Sequence, residues 1–194
     1  MGCKNGKPVL VLTDADLDFI ANNTSISRED VQKHHDSFIA EHSDGKITKS
    51  DFKRMMEACF PGADSGKLQS HIFRMYDTND DGHIDFREFM IVLYVLSNGS
   101  PEDNLKQLFR IFDIDSDGAV SPKELERIVK ALFHLFKKPD DPDKAEQEQM
   151  ARDAFKEMDT NDDGRVTKEE FVKACMAQET ISKLLALKVI DVFI

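Results

Sequence analysis

Along the chain, apolar residues recur at intervals of three and four in blocks that stop at short acidic stretches and then resume. Leu68, Ile72, Phe73 and Tyr76 precede the stretch 77–88, and Phe89, Met90 and Leu93 follow it. Leu105, Leu108, Phe109 and Phe112 precede 113–124, with Leu125, Ile128, Val129 and Leu132 beyond. Met150, Ala154, Phe155 and Met158 precede 159–170, with Phe171, Val172 and Cys175 after it. Such spacing places one apolar stripe along a helix, so each block predicts a helix, a twelve-residue loop and a second helix. The loops share one frame: Asp at position 1, Asp or Asn at 3, Asp at 5, Gly at 6, a β-branched residue at 8 (Ile84, Val120, Val166) and Glu at 12. Their glycines, Gly82, Gly118 and Gly164, stand 36 and 46 residues apart, the period of a repeat architecture.

A weaker fourth copy lies upstream. Gly45 is 37 residues before Gly82, which makes its loop Ala40–Asp51, with Ile47 at position 8, Phe38 before it and Phe52, Met55 and Met56 after it. Four units make two pairs, and the position-8 residues of neighbouring loops then oppose each other in a short antiparallel pairing, Ile47 with Ile84 and Val120 with Val166. The predicted fold is all-α: four helix–loop–helix units in two lobes, short β pairing within each pair, and a C-terminal helix. The N-terminal lobe spans 1–98, with units at about 27–62 and 64–99. The C-terminal lobe spans 100–181, with units at about 100–135 and 146–181, and 182–194 forms a tail. Ser97-Asn98-Gly99-Ser100-Pro101 reads as the hinge between pairs, since Gly and Pro interrupt helices. An insertion within 136–145, containing K-K-P-D-D-P-D-K, lengthens the last spacer. The segment 180–194 predicts a last, very apolar helix, and two arrangements are open for it: a lid lying in an apolar groove, or a part of the C-terminal core.

The loop pattern carries a specific chemistry. A hard dication such as Ca²⁺ takes about 6–8 oxygens at about 2.3–2.6 Å. Positions 1, 3 and 5 supply side-chain oxygens, position 7 a backbone carbonyl, and position 12 a bidentate glutamate, while Gly at 6 makes the sharp turn. This is the EF-hand. The candidate ligands are Asp77, Asn79, Asp81, His83 and Glu88; Asp113, Asp115, Asp117, Ala119 and Glu124; and Asp159, Asn161, Asp163, Arg165 and Glu170, with His83, Ala119 and Arg165 acting through their carbonyls. The plain alternative, a solvated acidic turn capping a helix, does not account for three in-phase copies that each end in glutamate. Loop one offers Ala40, His42, Asp44 and Asp51 at positions 1, 3, 5 and 12. Without the first carboxylate, and with the last one shortened, it is read as an empty site. The implied cofactor is Ca²⁺ at three sites.

Charge and cysteines narrow the setting. Asp plus Glu number 37 against 26 Lys plus Arg, a net charge of −11, which argues against binding to nucleic acid. Three scattered cysteines (Cys3, Cys59, Cys175) form no CxxC or Cys/His cluster, so a reducing compartment is expected rather than a disulfide framework. The longest apolar run, Phe89–Leu96, is too short to span a bilayer. The expectation is a cytoplasmic protein, with peripheral membrane association through the N-terminus. There Met1-Gly2-Cys3-Lys4 presents the glycine that N-myristoylation requires, although Gly6 stands where the stricter motif has Ser or Thr. Cys3 is either a second acylation point or a free thiol. The six histidines and three cysteines form no nucleophile–base pattern, and no enzyme activity is expected.

In these features the chain resembles the neuronal calcium sensor family, the recoverin, visinin, neurocalcin and frequenin group. The resemblance rests on the Met-Gly start, a disabled first hand, three complete hands, F-P-G at 60–62, I-D-F-R-E-F at 84–89 and the long spacer before the fourth hand. His42-Ser43 stand where that family has Cys-Pro, and the chain has no Trp. The resemblance implies a Ca²⁺ sensor that opens an apolar groove in its N-terminal half and regulates membrane-associated targets. The expected partners are a target-protein helix in that groove and a membrane reached through a myristoyl group, with the chain itself a monomer or weak dimer. Met55, Met56, Met75 and Met90 suit a surface that repacks. The competing reading is a Ca²⁺ buffer with the same loops and no regulated target.

Overall fold

In a computed structural model the placement of residues 11–24, 26–59, 66–135 and 141–177 is described. The calls on Gly2, Cys3, Phe60 and the last helix lie outside these residues. The described residues form nine helices and two two-stranded antiparallel sheets, as the all-α, two-lobe reading predicts.

The first helix, α1 (Asp14–Thr24), precedes the four repeated units. Thr13 and Asp16 start it reciprocally: the Asp16 amide donates to Thr13 Oγ1 at 3.2 Å and the Thr13 amide to Asp16 Oδ2 at 3.0 Å, which satisfies helix-start N–H groups. Ile20 is fully buried. The helix lies across α2 (Arg28–Glu41) and α5 (Phe86–Asn98), pinned to α5 by Asp16 Oδ1 and Arg87 Nη1 at 3.1 Å.

Units one and two follow as α2, β1 (Lys46–Thr48), α3 (Lys49–Cys59), α4 (Gly66–Tyr76), β2 (His83–Asp85) and α5. Val31, His35 and Phe38 turn inward from α2 at helical spacing. The ladder β1–β2 pairs Ile47 with Ile84, both essentially inaccessible to water. An aromatic cluster fills the space beside it: Phe38 lies 5.4 Å from Phe86, Phe52 lies 5.6 Å from Phe73, and Tyr76 stacks on Phe89. Met56, Met75 and Met90 are buried with them.

The turn between the lobes is tighter than a free hinge. The helix α5 runs to Asn98 and α6 (Pro101–Phe112) begins after only two intervening residues, capped by Ser100, whose hydroxyl accepts from the Asp103 amide. Gly99 fits because a side chain there would sit 2.4 Å from the Val95 carbonyl oxygen. The second lobe continues as β3 (Ala119–Val120), α7 (Pro122–Leu135), α8 (Lys144–Met158), β4 (Val166–Thr167) and α9 (Lys168–Ala177), with Val120 opposite Val166. Phe109, Phe112 and Phe171 form its centre. Cys175 is buried there, and that burial pushes its thiol pKa up to about 12, so it behaves as a core residue.

The lobes join where α4 packs on α6. Arg74 donates to the carbonyls of Arg110 and Ile111 at 2.8 and 3.2 Å, and Arg110 returns bonds to the carbonyls of Arg74 and Asp77 at 3.3 and 3.2 Å. Each cation caps the electronegative end of the other's helix. Both arginines stand three residues before their loop, a matched offset in units two and three. Among the described residues no helix is long and apolar enough to cross a membrane.

Candidate calcium sites

Each of the last three loops starts as its entering helix ends. In loop two the Asp77 carboxylate accepts from the Asp81 and Gly82 amides at 3.1 and 3.0 Å, Asn79 Oδ1 from the Asp81 amide at 2.8 Å, and Asp81 Oδ1 from the His83 amide at 3.0 Å. Loops three and four repeat this folding through Asp113, Asp115 and Asp117 and through Asp159, Asn161 and Asp163. The side chains at positions 1, 3 and 5 are thereby gathered round one centre by the loop's own N–H groups. Two left-handed backbones make the turn: Asp80, Ser116 and Asp162 at position 4 have φ near +58°, and Gly82, Gly118 and Gly164 at position 6 lie between +80° and +91°. Short polar side chains tolerate the former, while the latter suits glycine. In the sequence the position-4 requirement shows only as the residue types Asp, Ser and Asp.

The glutamate at position 12 links both ends of the loop. Glu88 Oε2 accepts from the Asp85 amide at 3.1 Å, closing a reciprocal cap on α5, while Oε1 accepts from the Thr78 and Asn79 amides at 2.9 and 3.2 Å. Glu124 bonds Ser121 on one side and the Ile114 and Asp115 amides on the other. Glu170 bonds Thr167 and Thr160 in the same way. One carboxylate thus touches the entering strand of the loop and the start of the exiting helix.

Charge is concentrated in these loops. Burial raises the pKa of Asp77, Asp113 and Glu88, partly offset by the amide hydrogen bonds. For Glu124 burial also acts upward, but hydrogen bonds from Ser121, Ile114 and Asp115 outweigh it and its pKa falls. Glu170, held by the Thr167 amide, is also lowered. Oxygens of Asp113, Asp115 and Asp117 all lie within 4.8 Å of one another. Two ligand oxygens about 2.3–2.6 Å from a common ion are at most about 5 Å apart, so these three oxygens are close enough together to share one Ca²⁺.

Loop one is built differently. The helix α2 continues to Glu41, so Ala40 at position 1 is still helical and exposed. His42 turns back on Phe38, with ring centroids 5.2 Å apart. Gly45 is left-handed at +74°, but Ser43 at position 4 is not among the positive-φ residues, and the Gly45 amide donates to the His42 carbonyl instead of a carboxylate. Asp51 accepts from the Thr48 amide and hydroxyl and pairs with Arg54. It serves the start of α3.

The chain matches the EF-hand domain pair family over residues 67–121 and 102–176. It is 30% identical to recoverin of Homo sapiens over 87% of this chain and 86% of the relative. S-modulin of Aquarana catesbeiana is 29% identical over 87% and 86% of the two chains, and visinin of Gallus gallus 29% over 84% and 87%. These helix–loop–helix pairs define a calcium-binding EF-hand protein. The chain belongs to the neuronal calcium sensor family.

Proposed function

We propose that this protein is a sensor that takes up three Ca²⁺, one each at loops two, three and four, leaves loop one empty, and answers by exposing an apolar face to membrane-associated targets. The observation that carries this reading is the double attachment of Glu88, Glu124 and Glu170. Bound Ca²⁺ supplies a dication that both oxygens of such a glutamate can face. To face it, each glutamate leaves the donors it now holds early in the loop, at positions 2 and 3 for Glu88 and Glu124 and at position 2 for Glu170, and brings the start of its exiting helix with it. In unit two that helix is α5, which carries Phe86, Met90, Val92 and Leu96 into the core and packs Phe89 against it. Movement of α5 therefore disturbs the cluster of Phe38, Phe52, Phe73, Tyr76 and Phe89, and the ladder partner Ile47 carries loop one along. The buried methionines Met56, Met75 and Met90 favour a face that repacks.

The lobe boundaries proposed are 1–98 and 100–181, divided at Gly99. The target is a protein helix laid in the exposed groove. Myristoylation of Gly2 supplies weak, reversible membrane attachment, since one such chain binds bilayers only marginally. Fluorescence of an apolar dye with Ca²⁺ and with chelator separates sensor from buffer. The sensor reading expects a large Ca²⁺-dependent rise with amide shifts at Phe52, Met55 and Leu93. Ca²⁺ uptake with no dye response would establish a buffer.

A further inference from the structure

The cation at position 7 of loop four faces away from its own loop. Arg165 contributes to loop four through its backbone, and its amide donates to Asp163 Oδ1 at 2.9 Å. Its guanidinium instead pairs through Nη2 with Oδ2 of Asp117, at position 5 of loop three. The β3–β4 register, Val120 opposite Val166, sets Arg165 beside the far loop. Loop three returns no such contact, because its own position 7 is Ala119. We propose that Arg165 is a built-in counter-ion of site three, lowering that site's Ca²⁺ affinity and linking it to loop four.

Three observations support this and rest on the calcium-site reading above. Both oxygens of Asp117 are engaged by protein donors, Oδ1 by the Ala119 amide at 3.1 Å and Oδ2 by Arg165. The same guanidinium also lies in the field of Asp115, a second carboxylate of loop three, and of Asp163 in its own loop. Loop three carries four carboxylates among positions 1, 3, 5, 9 and 12 (Asp113, Asp115, Asp117, Glu124), against three in loop four (Asp159, Asp163, Glu170). Ligand charge sets EF-hand affinity, and one fixed guanidinium removes the excess of loop three. In the N-terminal pair the residue at Arg165's place is His83 of loop two, and its Nε2 lies 3.5 Å from Lys46 Nζ, at position 7 of loop one.

The test is Arg165→Gln, which keeps the backbone donor and removes the charge, with Arg165→Lys as the variant that keeps charge but not the forked geometry. Calorimetric Ca²⁺ titration in an E88Q/E170Q background isolates loop three. The scale of an exposed charge pair, acting on a dication, sets an expected tightening of about three- to tenfold with Arg165→Gln. The gap should narrow near 1 M KCl, where the Debye length falls to about 3 Å, and Lys should lie nearer the parent. The same substitution in the otherwise unaltered chain should lower the melting temperature of the ion-free protein at low salt and widen the gap between ion-free and Ca²⁺-loaded melting. Unchanged or weaker affinity, or an unchanged melting gap, would overturn the inference alone. A loop three that takes up no Ca²⁺ in the parent would overturn the proposed function together with it.

Discussion

Loops one and two of the N-terminal pair lie side by side on one ladder, and they differ chiefly at their two ends. Both place a glycine at position 6 with positive φ, both bury a β-branched residue at position 8, and both start the exiting helix from position 9 with the position-12 carboxylate as its cap. Glu88 has one methylene more than Asp51. With it, one oxygen caps α5 while the other reaches the Thr78 and Asn79 amides. Asp51 reaches Thr48 and Arg54. At the opening end Asp77 collects two loop amides, whereas Ala40 remains inside α2. The residues that make the hand fold are therefore separable from those that would make it bind. A loop without the first aspartate and the last glutamate remains half of a ladder.

Substitutions can break this comparison in decreasing order of size. Glu88→Gln should abolish uptake at loop two under micromolar Ca²⁺, weakening it by more than the roughly 10–100-fold that losing an outer hydrogen-bond partner of a metal ligand costs. Calorimetry should then count one ion fewer. Ile47→Ala removes a fully buried side chain and should destabilise the N-terminal lobe by about 2–5 kcal/mol. It should also weaken Ca²⁺ at loop two, although it lies in the loop proposed to stay empty, and that transfer is what the shared ladder requires. Gly45→Ala forces a side chain into the left-handed region and should cost about 1–2 kcal/mol in chemical denaturation, with no change in ion count.

The smallest effects concern Asp51. Hydrogen bonds from the Thr48 hydroxyl and amide and from Arg54 bring its pKa down from 3.8 to about 2. A carboxylate whose pKa is depressed by folding stabilises the fold above its ordinary value and loses that contribution as pH falls through the depressed one. Asp51→Asn should thus cost about 0.5–1 kcal/mol near pH 6, the scale of a helix cap, and the difference should fade between about pH 4 and pH 2. The double substitution Ala40→Asp with Asp51→Glu should add no fourth ion, because position 1 is still helical and Ser43 lacks the left-handed backbone. A fourth ion in that variant would show that ligands alone decide the site.

Much of this was legible from residue spacing. The twelve-residue frame located all three acidic loops, and the β-branched residue at position 8 identified both ladder pairs, because that residue must be buried between two loops. Gly99 also stood out, although the structure makes it a tight corner packed on the Val95 carbonyl. Other features escaped because their signals are weak or long-range. The helix α1 has a short apolar stripe and exposes Phe19, and only the Thr13–Asp16 cap marks its start. The Arg74–Arg110 clasp depends on how α4 and α6 cross, which no local pattern contains. Arg165 was read for its carbonyl, and the direction of its side chain became visible only with the ladder register in place.

The central claim is that three loops bind and one does not, and the amides of the four position-6 glycines test it most directly. Gly82, Gly118 and Gly164 donate to the first aspartate of their loops at 3.0, 3.1 and 2.9 Å, whereas Gly45 donates to a backbone carbonyl. In a Ca²⁺ titration followed by amide NMR, the first three resonances should move strongly and saturate by three equivalents. Gly45 should follow only the loop-two transition of its ladder partner. A Gly45 shift that saturates separately at a fourth equivalent, or a Gly82, Gly118 or Gly164 that never responds, would contradict the account.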